Sequence, residues 1–485
     1  MSKVRNTVYN LLGSLSPMLV ALVTVPLYIR YIGAAEYGIL TIAWLLMGYS
    51  TYAEFGLGQS VANEIARLGE GKIIERNEVF WTGFWTALIF GLLLGVVIVG
   101  LGIVLVPAWA SLEPKLRVEL MHALPWLLAA APLSTGNAVL VGAMDGRQHF
   151  KHSNIIQSMG WVLSQGLPLL GVLIGHQSLP WLLALATLGR AFTFFSLFWV
   201  LSGLLPLTQK ILPECKKLPF LLGFGGWVTV SNVAESLLSS LDRWLAGGFL
   251  GAQAVAYYAV PANLAQRTTV LPVALVRTLF PRFSALDAEL ALRETVRITI
   301  YLGGILAPLI GVGIMLIDPF LRLWVGRDFA NHAYLVAPIL LLAAWIRAIA
   351  YMPDVLLRAT RRPRTVASIR VIELPFLFVA CWLGFKWLGL PGLAWAWCLR
   401  VAFDAAWLWS RAECLGKVAG RLFPQAMGLV IVYLIMHAGF QSFSPTTFAV
   451  SGCVVILLVA WTLWMDRNFW LRIWFMVWPK NRVSG

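Results

Sequence analysis

The chain has 485 residues, of which 59% are hydrophobic and only 12% charged; soluble domains carry about 25% charged residues, so an ordinary water-soluble fold is excluded. The formal net charge is +15, but the Lys and Arg residues sit in short loops, the pattern that fixes membrane orientation, and no soluble basic domain exists to bind nucleic acid. The five cysteines, Cys215, Cys381, Cys398, Cys414 and Cys453, show no CxxC and no paired spacing, so they read as small apolar fillers and not as a disulfide framework or a metal site.

Met1 to Asn6 is basic, yet the apolar run from Val8 is long and lacks a small-residue cleavage site, so no cleavable signal peptide is expected. Apolar segments of spanning length recur to the end of the chain and predict an all-α polytopic membrane protein with fourteen spans. The first six cover residues 8–29, 37–62, 80–106, 120–142, 155–175 and 181–201. The next six cover 219–241, 251–276, 296–317, 332–353, 366–386 and 390–409, and two more cover 423–440 and 446–465. With the N-terminus in the cytoplasm, the outside loops hold seven basic residues: Arg30, Lys115, Arg117, Arg243, Arg322, Arg327 and Lys386. The inside loops and termini hold 26, which places both termini in the cytoplasm. The 23 tryptophans fall largely near span ends, and Trp470, Trp474 and Trp478 alternate with Arg467 and Arg472 as in a short helix lying on the membrane surface.

The stretch from Asn6 to Arg67 organises the first part of the chain. Pro17 and Pro26 punctuate the first apolar run, Gly33-Ala34-Ala35-Glu36-Tyr37-Gly38 makes a polar corner, and Glu54 lies within the second run. A weaker echo follows at Leu250-Gly251-Ala252 with Tyr257, the two Gly offset by 218 residues, which hints at an internal repeat. Pro17, Pro26, Gly225, Pro261 and Pro272 are candidate hinges, because Pro and Gly free backbone carbonyls and let helices bend.

Enzyme signatures are missing. Gly71-Lys72 lacks the spacing of a nucleotide-binding loop, no HExxH or Asp-x-Asp occurs, and His149 and His152 stand in a turn without a Cys or carboxylate cluster. The informative residues are ionisable groups at membrane depth: Arg190, Arg267, Arg347 and Arg400 against Glu54, Glu235, Glu373 and Asp404. A charge at the centre of a membrane helix costs about 2.5–3.5 kcal/mol on insertion scales, so such residues mark either sealed pairs or a wet path. Arg400 and Asp404, four apart on one helix face, are spaced to satisfy each other. The arginines are the candidate substrate path and the carboxylates the candidate ion-coupling groups.

Several motifs together carry a family resemblance. They are Tyr31-Ile32-Gly33-Ala34-Ala35-Glu36-Tyr37-Gly38, then Glu54-Phe55-Gly56-Leu57-Gly58 through Ala66-Arg67, Asp242-Arg243 with Phe249-Leu250-Gly251, and Leu279-Phe280-Pro281-Arg282-Phe283-Ser284. With the fourteen-span pattern they make the chain similar to the polysaccharide flippase (O-antigen transporter) branch of the multidrug/oligosaccharidyl-lipid/polysaccharide exporter superfamily.

The resemblance implies two pseudo-symmetric six-helix lobes around a central cavity, residues 1–210 and 211–415, with residues 416–485 adding two spans and the interfacial tail. It implies a bacterial inner-membrane carrier that moves an undecaprenyl-pyrophosphate-linked oligosaccharide by alternating access, without a cofactor, coupled to an H+ or Na+ gradient. Arginines would pair with the pyrophosphate, and a polymerase and a chain-length regulator of the same pathway are the implied protein partners. The first span lacks the aspartate common in drug antiporters, and the N-terminal lobe offers only Arg190 where lipid II flippases carry several arginines. A cation-coupled drug or metabolite exporter is the alternative. A membrane polymerase or ligase is disfavoured by outside loops no longer than Asp318 to Asn331.

Overall fold

The computed structural model describes residues 19–49, 56–68, 72–109, 112–204, 234–270, 272–273, 287–359, 363–439 and 445–465. Pro17, Glu54, Gly225 and Cys215, the surface tail and the motif Leu279 to Ser284 lie outside them. All regular structure among the described residues is helical, as a chain immersed in lipid requires, because only the helix satisfies its backbone within one segment.

The first half supplies α1 (Leu19–Ile32), α2 (Ala34–Tyr49), α3 (Leu57–Leu68), α4 (Ile73–Ala108), α5 (Pro114–Gly146), α6 (Phe150–Leu173) and α7 (Leu179–Leu204). Then come α8 (Leu241–Leu250), α9 (Ala252–Gln266), α10 (Ala288–Trp324), the short α11 (Arg327–Ala333) and α12 (Ala337–Ala359). The rest is α13 (Pro363–Leu388), α14 (Leu390–Arg411), α15 (Leu415–Ala438) and α16 (Pro445–Met465). Nine helices among the described residues are long and apolar enough to cross a membrane, and α1 and α2 are shorter apolar helices. Among the described residues most helix ends fall within about eight residues of the predicted spans, α4, α10 and α15 starting seven or eight residues before them, with two informative exceptions.

The predicted second span, 37–62, is two helices: α3 begins after Gly56, whose φ of +68° belongs to the left-handed region that favours glycine. The predicted seventh span ends too early. Asp242 and Arg243, expected at its outer edge and in a loop, lie within α8 and are buried.

By compactness the chain divides into Met1–Val260 with Pro363–Leu393, and Pro261–Arg362 with Ala394–Gly485. In the first unit α5 is central, packing on α3, α4 and α7, while α4 turns a broad apolar face outward through Leu92, Leu93, Val96, Val97 and Val104. In the second unit α12 is the core helix, 83% of its apolar window being buried against 17% for α4; α10 packs on α12, α15 and α16. Large apolar side chains facing outward along such helices are the surface that lipid covers. Cross-links between helices are side-chain donors on spare carbonyls: Trp345 Nε1 donates to Gly303 O (2.9 Å), Tyr334 Oη to Met436 O (2.9 Å) and Thr462 Oγ1 to Gly304 O (3.1 Å).

The repeat suggested by the corners has a structural counterpart. Gly33 and Gly251 have φ of +90° and +89°. Each closes a helix through its own N–H, Gly33 to Ile29 O and Gly251 to Gly247 O, both at 3.1 Å. Each is followed at once by a new helix, α2 or α9. Only glycine adopts this conformation without a steric cost, which explains why the echo retains it.

Candidate functional site

The four candidate arginines separate into two kinds. Arg347 on α12 pairs with Asp404 on α14, Nη1 to Oδ2 at 3.2 Å, the side chains being 14% and 2% exposed. Its guanidinium also lies 5.3 Å from the ring centroid of Tyr351. Asp404 thus reaches a partner on another helix, which the spacing of Arg400 and Asp404 did not reveal; Arg400 is buried on α14 one turn earlier.

Arg190 and Arg267 are different. Arg190 on α7 donates from Nη1 to Ser134 Oγ (2.8 Å) on α5 and to Met47 O (3.4 Å) on α2. These partners are neutral, so they orient the guanidinium without cancelling its charge. Arg267 opens a 3-10 turn, Arg267–Thr269, that interrupts the helix after α9. The cause is visible in the sequence: the ring of Pro272 collides with the carbonyl of residue 268 in a regular helix and provides no N–H to it. Thr268 Oγ1 and Thr269 Oγ1 donate to Ala265 O (2.7 Å) and Gln266 O (2.6 Å), satisfying carbonyls in the break. Among the described residues neither Arg190 nor Arg267 has an ion-pair partner.

Of the candidate carboxylates, Glu235 pairs with Arg370 on α13, Oε2 to Nε at 3.1 Å. Glu373, one turn further along α13, is buried. Arg370 was missed by sequence reasoning, which counted it among the inside basic residues although it lies within the predicted span 366–386. Buried Arg76, Asn77 and Glu78 in the first turns of α4 were also missed. The eight ionisable groups singled out from the sequence therefore undercount the buried charge.

Pro26 and Pro261 lie inside α1 and α9, and Pro272 is buried beside the 3-10 turn it causes. Beyond the predicted set, Asp242 and Arg243 form a buried cluster with Tyr258 and Cys381, and Arg243 N donates to Asp242 Oδ1 at 2.8 Å. No group of three or more His, Cys, Asp or Glu side chains among the described residues is arranged to hold a metal ion.

The arrangement is therefore a helical membrane scaffold in which some embedded arginines are neutralised and others keep their charge. Comparison with known proteins places it. A family model for polysaccharide biosynthesis proteins matches residues 3–287. A putative O-antigen transporter of Shigella flexneri is 28% identical over 425 residues, covering 85% of this chain and 98% of the relative. The lipid II flippase MurJ in an inward closed conformation superposes with a TM-score of 0.66 at 12% identity, covering 96% of this chain and 99% of that one. The Vibrio cholerae MATE transporter VcmN superposes with a TM-score of 0.60 at 17% identity, covering 86% and 97%.

Proposed function

Because the chain belongs to the polysaccharide biosynthesis protein family, as a multi-pass protein of the bacterial inner membrane with a MurJ- and MATE-like fold, we propose that it flips lipid-linked oligosaccharide repeat units across that membrane. The substrate is an undecaprenyl-pyrophosphate-linked glycan made on the cytoplasmic leaflet, destined for O-antigen or capsule. Fourteen spans with both termini in the cytoplasm, alternating access between two lobes and coupling to an H+ or Na+ gradient complete the reading. It is a carrier and no covalent step is assigned to it; the polymerase and chain-length regulator act on what it delivers.

One observation carries the choice of substrate. Arg190, within α7, and Arg267, on the 3-10 turn after α9, have no carboxylate against them among the described residues. An uncompensated guanidinium at that depth is costly unless an anion comes to it, and its planar fork of donors suits two phosphate oxygens at once. A pyrophosphate linker supplies such an anion, whereas a cationic drug would be repelled. The glycan needs only a hydrated route while the polyprenyl tail stays in lipid.

The test is replacement of each arginine by Ala and by Lys in a strain deleted for the chromosomal copy. The Ala variants are expected to remain in the membrane, to display at least about tenfold less surface polysaccharide, as loss of one charge-assisted contact of 1.5–3 kcal/mol implies, and to accumulate lipid-linked repeat units; Lys retains part of the activity. Full display by both Ala variants rules out these residues as the anion path.

A further inference from the structure

The turn between α14 and α15 gathers positive charge that its surroundings do not offset. α15 is long and apolar enough to cross the membrane, so the turn before it stands at a membrane surface. The chain reverses through Ala412, Glu413 and Cys414 alone, with Glu413 in the left-handed region at φ +58° and Cys414 N donating to Trp409 O at 2.9 Å. Arg411, Lys417 and Arg421 border this turn. All three are exposed, and none has an ion-pair partner among the described residues; Glu413 is the one carboxylate in the stretch. At other helix ends exposed basic residues are neutralised three or four positions away, Arg67 by Glu64, Lys72 by Glu75 and Arg293 by Glu289.

The start of α15 adds to the same field. Cys414 caps the helix without a side-chain hydrogen bond, its Sγ turning to Trp409 O at 3.5 Å. The first backbone bond of the helix is Val418 N to Cys414 O (3.0 Å), so the amides of residues 415–417 stand at the positive end of the helix dipole. Access to them is open, since a methyl group built on Gly416 or Gly420 meets nothing within 4 Å. Deeper in the membrane the exposed surface is apolar. Along α14, Leu399, Phe403, Trp407 and Arg411 recur every four residues, so one stripe passes from aliphatic to aromatic to cationic. Leu399 and Phe403 are exposed, Phe403 lies 6.0 Å from Trp407, and the Arg411 guanidinium lies 4.9 Å from the Trp407 ring centroid. Trp407 Nε1 is a donor with no acceptor among the described residues. On α15, Phe423 and Met427 are exposed beyond Arg421.

We propose that the α14–α15 turn binds an anionic phospholipid, its phosphodiester held by Arg411, Lys417 and Arg421 over the start of α15 and an acyl chain laid on Leu399 and Phe403. The order along the stripe is the order along such a molecule: fatty chain, glycerol interface, charged head. A soluble anion uses the cations and leaves the aromatic stripe idle. A zwitterionic lipid brings an ammonium group against three like charges. The anionic phospholipid engages both parts, and its phosphate oxygens accept charge-assisted hydrogen bonds from guanidinium and ammonium groups. Each basic residue near a membrane surface attracts such lipid by about 1 kcal/mol, or about fivefold in affinity. The bound lipid braces α14 against α15, and its binding does not depend on what the carrier transports.

Native mass spectrometry of the full chain in detergent tests this, with phosphatidylglycerol as the anionic probe and phosphatidylcholine as the zwitterionic one. The parent is expected to hold phosphatidylglycerol about tenfold or more tighter than phosphatidylcholine, given three cations at about fivefold each. Arg411→Gln, Lys417→Gln or Arg421→Gln alone weakens phosphatidylglycerol about fivefold, and the triple variant loses the preference. A control removes as much exposed charge elsewhere, by Arg67→Gln, Lys72→Gln and Arg293→Gln, and keeps it. All the replaced side chains are exposed, so both triple variants are expected to fold. An unweakened triple variant, or a control weakened as much, overturns the site. Two competitors identify the occupant: inorganic phosphate at the phospholipid's concentration, and undecaprenyl pyrophosphate at a tenth of it. Displacement by the first means a site for free anions, and by the second a capture site for the transported lipid; either overturns the phospholipid assignment, and resistance to both supports it.

Discussion

A guanidinium inside a membrane protein is stabilised by a carboxylate or left available to a ligand, and the two cases respond oppositely to truncation. Arg347 and Asp404 are the first case. Removing one partner takes the opposite charge away from the other, which is nearly or fully out of water, and breaking such a pair costs about 3–5 kcal/mol. Arg347→Ala is therefore expected to lower yield and melting temperature in detergent, and Arg347→Met with Asp404→Leu to recover much of both, since an apolar pair of similar volume replaces the ionic one. A double variant no more stable than the single one would show that the pair is not the unit of stability. Arg267 is the second case: with no partner among the described residues, its truncation should leave the melting temperature nearly unchanged while export falls. Sequence spacing exposes only same-helix partners, such as Arg322 with Asp318 (2.6 Å) and Arg358 with Asp354 (2.9 Å), each four apart. The pairs Arg347–Asp404 and Arg370–Glu235 join residues 57 and 135 positions apart, and no periodicity reports such a meeting.

At the scale of the helix, close approach depends on absent side chains. Gly142 on α5 faces the backbone of Gly58 on α3, and Gly146 one turn on faces that of Ala62; a methyl group at either position would strike backbone, which cannot rotate aside. Gly142→Ala is thus expected to displace α3 and lower the melting temperature, with overpacking typically costing about 1–3 kcal/mol. Protease sensitivity of α3 would report the displacement; a variant as stable and protected as the parent would mean that the helices yield at no cost. The start and end of most helices were legible because apolar run length and flanking charge determine them. Pro114, Pro363 and Pro445 stand at helix starts, where a missing N–H does no harm. The break at Gly56 was not legible, since glycine is common in unbroken membrane helices and hydropathy runs on through it. The candidate hinge at Pro272 was legible as a breaker, but the Arg267–Thr269 turn it produces required the geometry. The buried cluster on α8 was hidden because Asp242-Arg243 beside an apolar run has the signature of a span end.

For the molecule as a whole, the boundaries of the compact units at Pro261, Pro363 and Ala394 carry no hydropathy mark, whereas the charge asymmetry that orients the chain is visible throughout the sequence. On the proposed reading a pyrophosphate headgroup would leave a compartment held negative, and the potential would assist each elementary charge by about 2.3 kcal/mol per 100 mV. The loaded step would then run outward unaided. The returning carrier is the step that needs help, because unoccupied Arg190 and Arg267 would move against their own desolvation; an inward-moving H+ or Na+ on an embedded carboxylate is the proposed aid. Two expectations separate these contributions in vesicles loaded with lipid-linked repeat units. Clamping the potential to zero with valinomycin and balanced K+ slows translocation, while also dissipating the H+ and Na+ gradients stops net accumulation in the outer leaflet. If translocation continues at full rate with potential and both gradients gone, the carrier merely equilibrates its substrate, and the pull comes from the enzymes that consume the glycan on the far side.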